Sequence, residues 1–123
     1  MVLVTSNKHQ KLLFLNYVQQ VSVADLATAR TEIAALLGDL PSGLRLLSDL
    51  SQLESMDPEG LGEIGATMDL INQTGVSLIV RVIPDPTKDI GLNILTVFHY
   101  PRHPRIITCR SLTEALRKLS LWT

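Results

Sequence analysis

The sequence predicts an α/β fold, a mixed and mostly parallel sheet of about five strands with about four helices packed on it. Three observations predict it. Strand-like apolar runs alternate with amphipathic segments in the order ββαβαβαβα, the pattern by which crossover helices feed a parallel sheet. The run Val76-Ser77-Leu78-Ile79-Val80-Arg81-Val82-Ile83 is nearly continuous in apolar character, as expected of a strand covered on both faces. Each amphipathic segment also opens on a serine or aspartate able to cap a helix.

The elements follow in order. Val2 to Thr5 and Lys11 to Val18 read as two strands, with the polar stretch Asn7-Lys8-His9-Gln10 turning between them. Ser22-Val23-Ala24-Asp25 is a capping box variant, and Leu26, Ile33 and Leu37 place one face of the helix that follows, with Gly38 as its stop. Leu44 to Leu50 is a third strand after the loop Pro41-Ser42-Gly43. Asp57 then caps a second helix whose apolar stripe is Leu61, Ile64, Met68 and Ile71, with Gly75 ending it before the Val76 strand. Asp85-Pro86 opens a third helix, carried by Ile90, Ile94, Val97 and Phe98 to about His99, and Pro101 and Pro104 close it. Arg105 to Cys109 is a short last strand. Ser111-Leu112-Thr113-Glu114 caps a final helix that buries Leu112, Leu116 and Leu119 and sets Arg117 and Lys118 at its C-terminal dipole.

The bulk numbers bound the class of protein. At 123 residues the chain is expected to be one domain over 1–123, large enough for a real core. It is 46% hydrophobic and 19% charged, with mean hydropathy +0.23, which excludes wholesale disorder. A net charge of −1 is far from the basic balance of a general nucleic-acid binder. The single cysteine, Cys109, cannot form an internal disulfide or a thiolate cage, which favours a reducing compartment. No apolar run approaches the roughly 20 residues that span a bilayer, and the start MVLVTSNKHQ lacks the pattern of a signal peptide. A cytoplasmic protein without membrane insertion is expected.

The most informative stretch is Met56-Asp57-Pro58-Glu59-Gly60-Leu61-Gly62. Asp57 can accept from amides two and three residues ahead, worth about 1 kcal/mol. Pro58 supplies the first helical dihedral without losing a needed donor. Glu59 sets a negative charge at the positive end of the helix dipole. These three residues are therefore explained as a helix start alone. The glycines are not: Gly60, Gly62 and Gly65 fall in the first turns, where each costs up to about 1 kcal/mol against alanine. Close approach of another backbone or of a partner surface would account for them.

The segment LLSDLSQLESMDPEGLGEI resembles the central signature of STAS domains, the fold of bacterial anti-sigma factor antagonists. Asp49-Leu50-Ser51, Leu53, Met56-Asp57 and Gly60-Leu61-Gly62 match in register the family's apolar strand, its Asp-Leu-Ser step and its Met/Ile-Asp-Ser-Ser-Gly-Leu-Gly helix opening. The resemblance covers roughly Lys11 to Leu121. It implies a non-catalytic protein–protein interaction domain whose partner is an anti-sigma factor, a kinase or a larger signalling complex. In switching members the serine before the glycine is phosphorylated. Here Glu59 holds that position and Pro58 the one before it, so neither can take a phosphate. Either Glu59 imitates the phosphorylated state, with one charge against about −1.5 to −2, or the switch is gone and the scaffold remains; the second is favoured. Ser51, Ser55 and Thr67 are alternative acceptors nearby. The implied partner surface is Ser55, Asp57, Pro58, Glu59, Gly60, Gly62 and Glu63.

Other constellations carry less. Glu54, Asp57, Glu59 and Glu63 lack repeated ligand spacing and read as a solvated acidic face suited to a basic partner. His99 and His103 stand four apart, but Pro101 between them breaks the helix such a metal pair needs. No metal and no cofactor are expected. Arg102, His103 and Arg105 form a basic loop able to hold an anion. With the apolar helix before it, that loop suggests the alternative function, a carrier of small apolar or anionic, lipid-like ligands of the Sec14-related type. Cys109 reads as a buried small hydrophobe. Trp122 can fold back on the last helix or serve a homodimer contact, and the sequence leaves both open. No catalytic pair emerges, so no enzyme is expected.

Overall fold

The computed structural model describes residues 1–83 and 105–121. The helix expected after Asp85, the loop residues Arg102 and His103, and Trp122 lie outside the described residues. The described residues form β1 (Val2–Asn7), β2 (Leu12–Val21), α1 (Val23–Leu37), β3 (Leu44–Met56), a 3-10 turn (Pro58–Gly60), α2 (Leu61–Thr74), β4 (Val76–Val82), β5 (Arg105–Cys109) and α3 (Leu112–Leu121). The five strands make one sheet in the order β1-β2-β3-β4-β5, with β1 antiparallel to β2 and the remaining pairs parallel. This is the mixed, mostly parallel sheet expected.

Local chemistry starts and stops the elements. The hairpin turns where Asn7 Oδ1 accepts from Gln10 N at 3.2 Å and Lys11 takes φ 54. Ser22 and Asp25 complete the capping box of α1, Oγ accepting from Asp25 N at 3.1 Å and Oδ2 from Ser22 N at 3.0 Å. Gly75 ends α2 at φ 92, a conformation closed to most L side chains. At α3, Ser111 Oγ accepts from Glu114 N, but the Glu114 carboxylate reaches back to Arg110 N rather than to the cap.

Two layers of core flank the sheet. On one face Leu13, Leu15, Leu44, Leu46, Leu50 and Ile79 meet Leu26, Ile33 and Leu37 of α1 and Ile64 and Ile71 of α2. On the other, Leu47, Leu78, Val80, Val82 and Cys109 meet Ala115 and Leu119 of α3. Buried Arg45 ties this second layer together, donating through Nη1 to Leu119 O at 2.9 Å and through Nη2 to Gln10 O at 2.7 Å.

The structure departs from the sequence reading at three places. First, β3 runs to Met56, not Leu50. β2 bulges at Asn16/Val18 and Gln19/Gln20, with Gln19 at φ 58, and its continuation pairs Val18 with Gln52 through Val21 with Met56. Second, Leu61 is 48% exposed; the seam of α2 is Ile64, Gly65, Thr67 and Ile71. Third, Leu112 and Leu116 are 36% and 50% exposed, because Ala115, fully buried, brings the helix down on the sheet and leaves them at its side.

Candidate functional site

β3 delivers the chain to its C-terminal end at Met56, where the parallel pairing stops and Asp57 N donates to Val21 O at 3.0 Å. The chain then reverses in one 3-10 turn. Asp57 caps it, Oδ1 accepting from Glu59 N at 3.1 Å and its carbonyl accepting from Gly60 N at 2.8 Å. Asp57 was expected to cap the helix itself. It caps this turn instead, and α2 begins at Leu61 with no side-chain cap. Pro58 fits because the first position of such a turn needs no donor.

The glycines divide by role. Gly60 is buried, and a Cβ there would collide with Leu26 Cδ1 of α1. It lets the turn sit down on α1, and any larger residue would have to displace the buried Leu26 side chain. Gly62 faces open space, with nothing within 4 Å of a Cβ. No internal contact requires it.

What remains exposed is compact. Ser55, Asp57, Pro58, Glu59, Leu61 and Gly62 all face outward on consecutive or near-consecutive positions. Glu63 is pulled aside to Arg30 of α1, Oε2 to Nε at 3.4 Å, and ties the first turn of α2 to α1. The four predicted carboxylates thus separate: Glu63 bridges helices, Asp57 caps, and Glu54 and Glu59 face solvent. Among the described residues no three His, Cys, Asp or Glu side chains gather as metal ligands. Of the alternative acceptors, Ser51 and Ser55 are exposed, whereas Thr67 is buried at 8% and out of a kinase's reach. Sequence reasoning missed the exposure of Leu61, the part of Arg30, and Leu26 as the reason for Gly60.

Arg105 is exposed at the start of β5, away from the turn. Cys109 is buried, and burial raises its thiol pKa, which suits packing better than nucleophilic chemistry. Between the sheet and α2 lies a cavity of about 40 Å³ bordered by Leu15, Tyr17, Ile64, Met68, Ile71 and Arg81. By the same measure one water needs about 10–15 Å³, so the space matches a few waters in size and is too small for a lipid chain. Burial there pushes the Tyr17 hydroxyl pKa up to about 12. Among the described residues no helix is long and apolar enough to cross a membrane.

No protein-family model and no curated protein matches this chain. Solved structures do, over nearly its whole length. Bacillus SpoIIAA in its phosphorylated form is 13% identical with a TM-score of 0.64, covering 97% of this chain and 99% of that one. An uncharacterised protein of the DUF3478 family from Shewanella loihica is 11% identical with a TM-score of 0.70, covering 97% and 92%. An anti-sigma factor antagonist from Mycobacterium paratuberculosis is 20% identical with a TM-score of 0.58, covering 98% and 93%. With the exposed turn between β3 and α2, they give this chain the SpoIIAA-like fold of anti-sigma factor antagonists, the STAS fold.

Proposed function

We propose that the chain is a non-catalytic regulatory domain that binds a protein partner through the β3–α2 junction, as an anti-sigma factor antagonist would. The observation that carries the reading is the division of labour within the junction. Gly60 against Leu26, Asp57 on the Glu59 amide and the Glu63–Arg30 ion pair anchor the turn and the start of α2 on α1. That anchoring leaves Pro58, Glu59, Leu61 and Gly62 facing solvent. A half-exposed leucine beside a carboxylate and an unobstructed glycine suits a preorganised contact with an apolar centre and a basic rim.

On the resemblance of the Met56 to Gly62 stretch to the STAS signature, Glu59 takes the phosphoacceptor position and Pro58 removes the neighbouring hydroxyl. The junction therefore engages its partner without phosphorylation control at these two residues. A glutamate brings one negative charge and lacks the third acceptor oxygen of a phosphate. The reading is thus of a retained scaffold rather than a permanent phosphate mimic.

The test is capture of the partner from a lysate of the source organism with wild type, Glu59→Lys and Leu61→Asp as baits. A protein held by wild type and lost by both variants supports the reading. The same captured set with all three baits sinks it. The carrier reading has less support. The cavity under α2 is about 40 Å³. The roomier groove of about 450 Å³ between α1 and α2 is open and bordered by Arg30, Thr31, Asp69 and Gln73, where ligand pockets are concave and mostly apolar. The helix and loop first considered for a carrier lie outside the described residues.

A further inference from the structure

Among the described residues the sheet ends at β1, which pairs there with β2 alone. Met1 and Val18 exchange both backbone bonds, Met1 N to Val18 O at 3.1 Å and Val18 N to Met1 O at 2.8 Å. Bonded and non-bonded pairs alternate in an antiparallel ladder. From the register, Leu3, Thr5 and Asn7 therefore bond inward to Asn16, Phe14 and Leu12, while Val2, Val4 and Ser6 turn their N–H and C=O groups outward. The strand Val-Leu-Val-Thr-Ser-Asn carries no charge, proline or positive-φ residue. Those are the devices by which proteins blunt an edge against pairing. Leu3 is also 45% exposed.

We propose that this edge is a homodimer contact in which β1 pairs antiparallel with β1 of a second copy across a twofold axis at Val4. A second copy is the occupant because the edge is complementary to itself. With the axis at Val4, Val4 stands opposite Val4 and Val2 opposite Ser6, so every outward-facing group on one strand meets one on the other. A register shifted by two residues strands one of the three. The same arrangement lays Leu3 beside Thr5 of the second copy. It also brings the hairpin turn, with exposed Lys8 and Lys11, toward the Met1 end of the other copy, where the Asp25 carboxylate already pairs with the Met1 ammonium at 3.3 Å, so the contact rests on the strand pairing and not on charge. The pairing closes on itself and does not propagate, as an isologous contact must.

Sedimentation equilibrium of the full chain over a range of concentrations tests this. Wild type is expected to approach twice its 13.6 kDa mass as concentration rises. Val4→Pro removes an outward N–H that β2 does not use, which an edge strand tolerates, and is expected to be monomeric with an unchanged circular dichroism spectrum. Leu3→Lys is expected to weaken dimerisation by roughly tenfold or more, and decides the matter should the proline variant misfold. Wild type that stays monomeric throughout, whatever foreign strand it might take up, overturns the proposal. So does a dimer that persists unchanged in folded forms of these variants.

Discussion

Gly60 and Gly62 look alike in the sequence and have opposite roles in the structure. Gly60→Ala drives a methyl into Leu26 of α1, and overpacking of this kind costs about 1–3 kcal/mol; thermal unfolding should show it. Gly62→Ala meets nothing, so helix propensity alone predicts a gain of about 0.5–1 kcal/mol. If Gly62 is a partner contact, the same variant binds its partner more weakly while melting higher. A gain in both stability and binding would remove Gly62 from the surface. Helix periodicity could not separate these residues, because the difference lies in what α1 brings to each position.

At the scale of elements, capping and pairing decide what was legible. The cap at Ser22 and the stop at Gly75 were readable because their chemistry is local, and Asp57 was readable as a cap though not as the cap of a 3-10 turn. The end of β3 was not readable: the strand read from the sequence stops at Leu50, and only the bulged end of β2 supplies the partner that carries it to Met56. Periodicity placed Leu61 and Leu116 on apolar stripes, yet a stripe gives the direction of a face and not where the neighbouring sheet stops. The segment read as a partner surface lies exposed at the β3–α2 junction, but Glu63 belongs to the α1–α2 bridge. Arg45 is the corresponding bridge on the other face, between the β1–β2 turn and α3. Arg45→Ala leaves two carbonyls without their donor and should cost about 2–3 kcal/mol in chemical denaturation. Arg45→Lys should recover only part of it, lacking the planar fork.

For the whole molecule, two acid–base consequences follow. Tyr17 is buried with a pKa near 12 against 10 unfolded. Its contribution is therefore fully present below pH 10 and is lost as pH rises toward 12, by up to about 1.4 kcal/mol per pH unit. Tyr17→Phe should flatten that alkaline limb. Asp25 has its pKa lowered by the Ser22 backbone hydrogen bond first and by the terminal ammonium second. Its contribution is present above the ordinary carboxylate pKa and fades as pH falls through the lowered value, so Asp25→Asn should flatten the acid limb.

On the proposed reading the junction at the end of β3, rather than an inner cavity, is where this molecule meets its partner. Backbone hydrogen exchange with and without the captured partner measures this most directly. The account predicts new protection at Glu59 to Gly65 and along the start of α2, with β1 unchanged. Unaltered exchange across that stretch, with protection appearing elsewhere on the sheet or on α3, would contradict it.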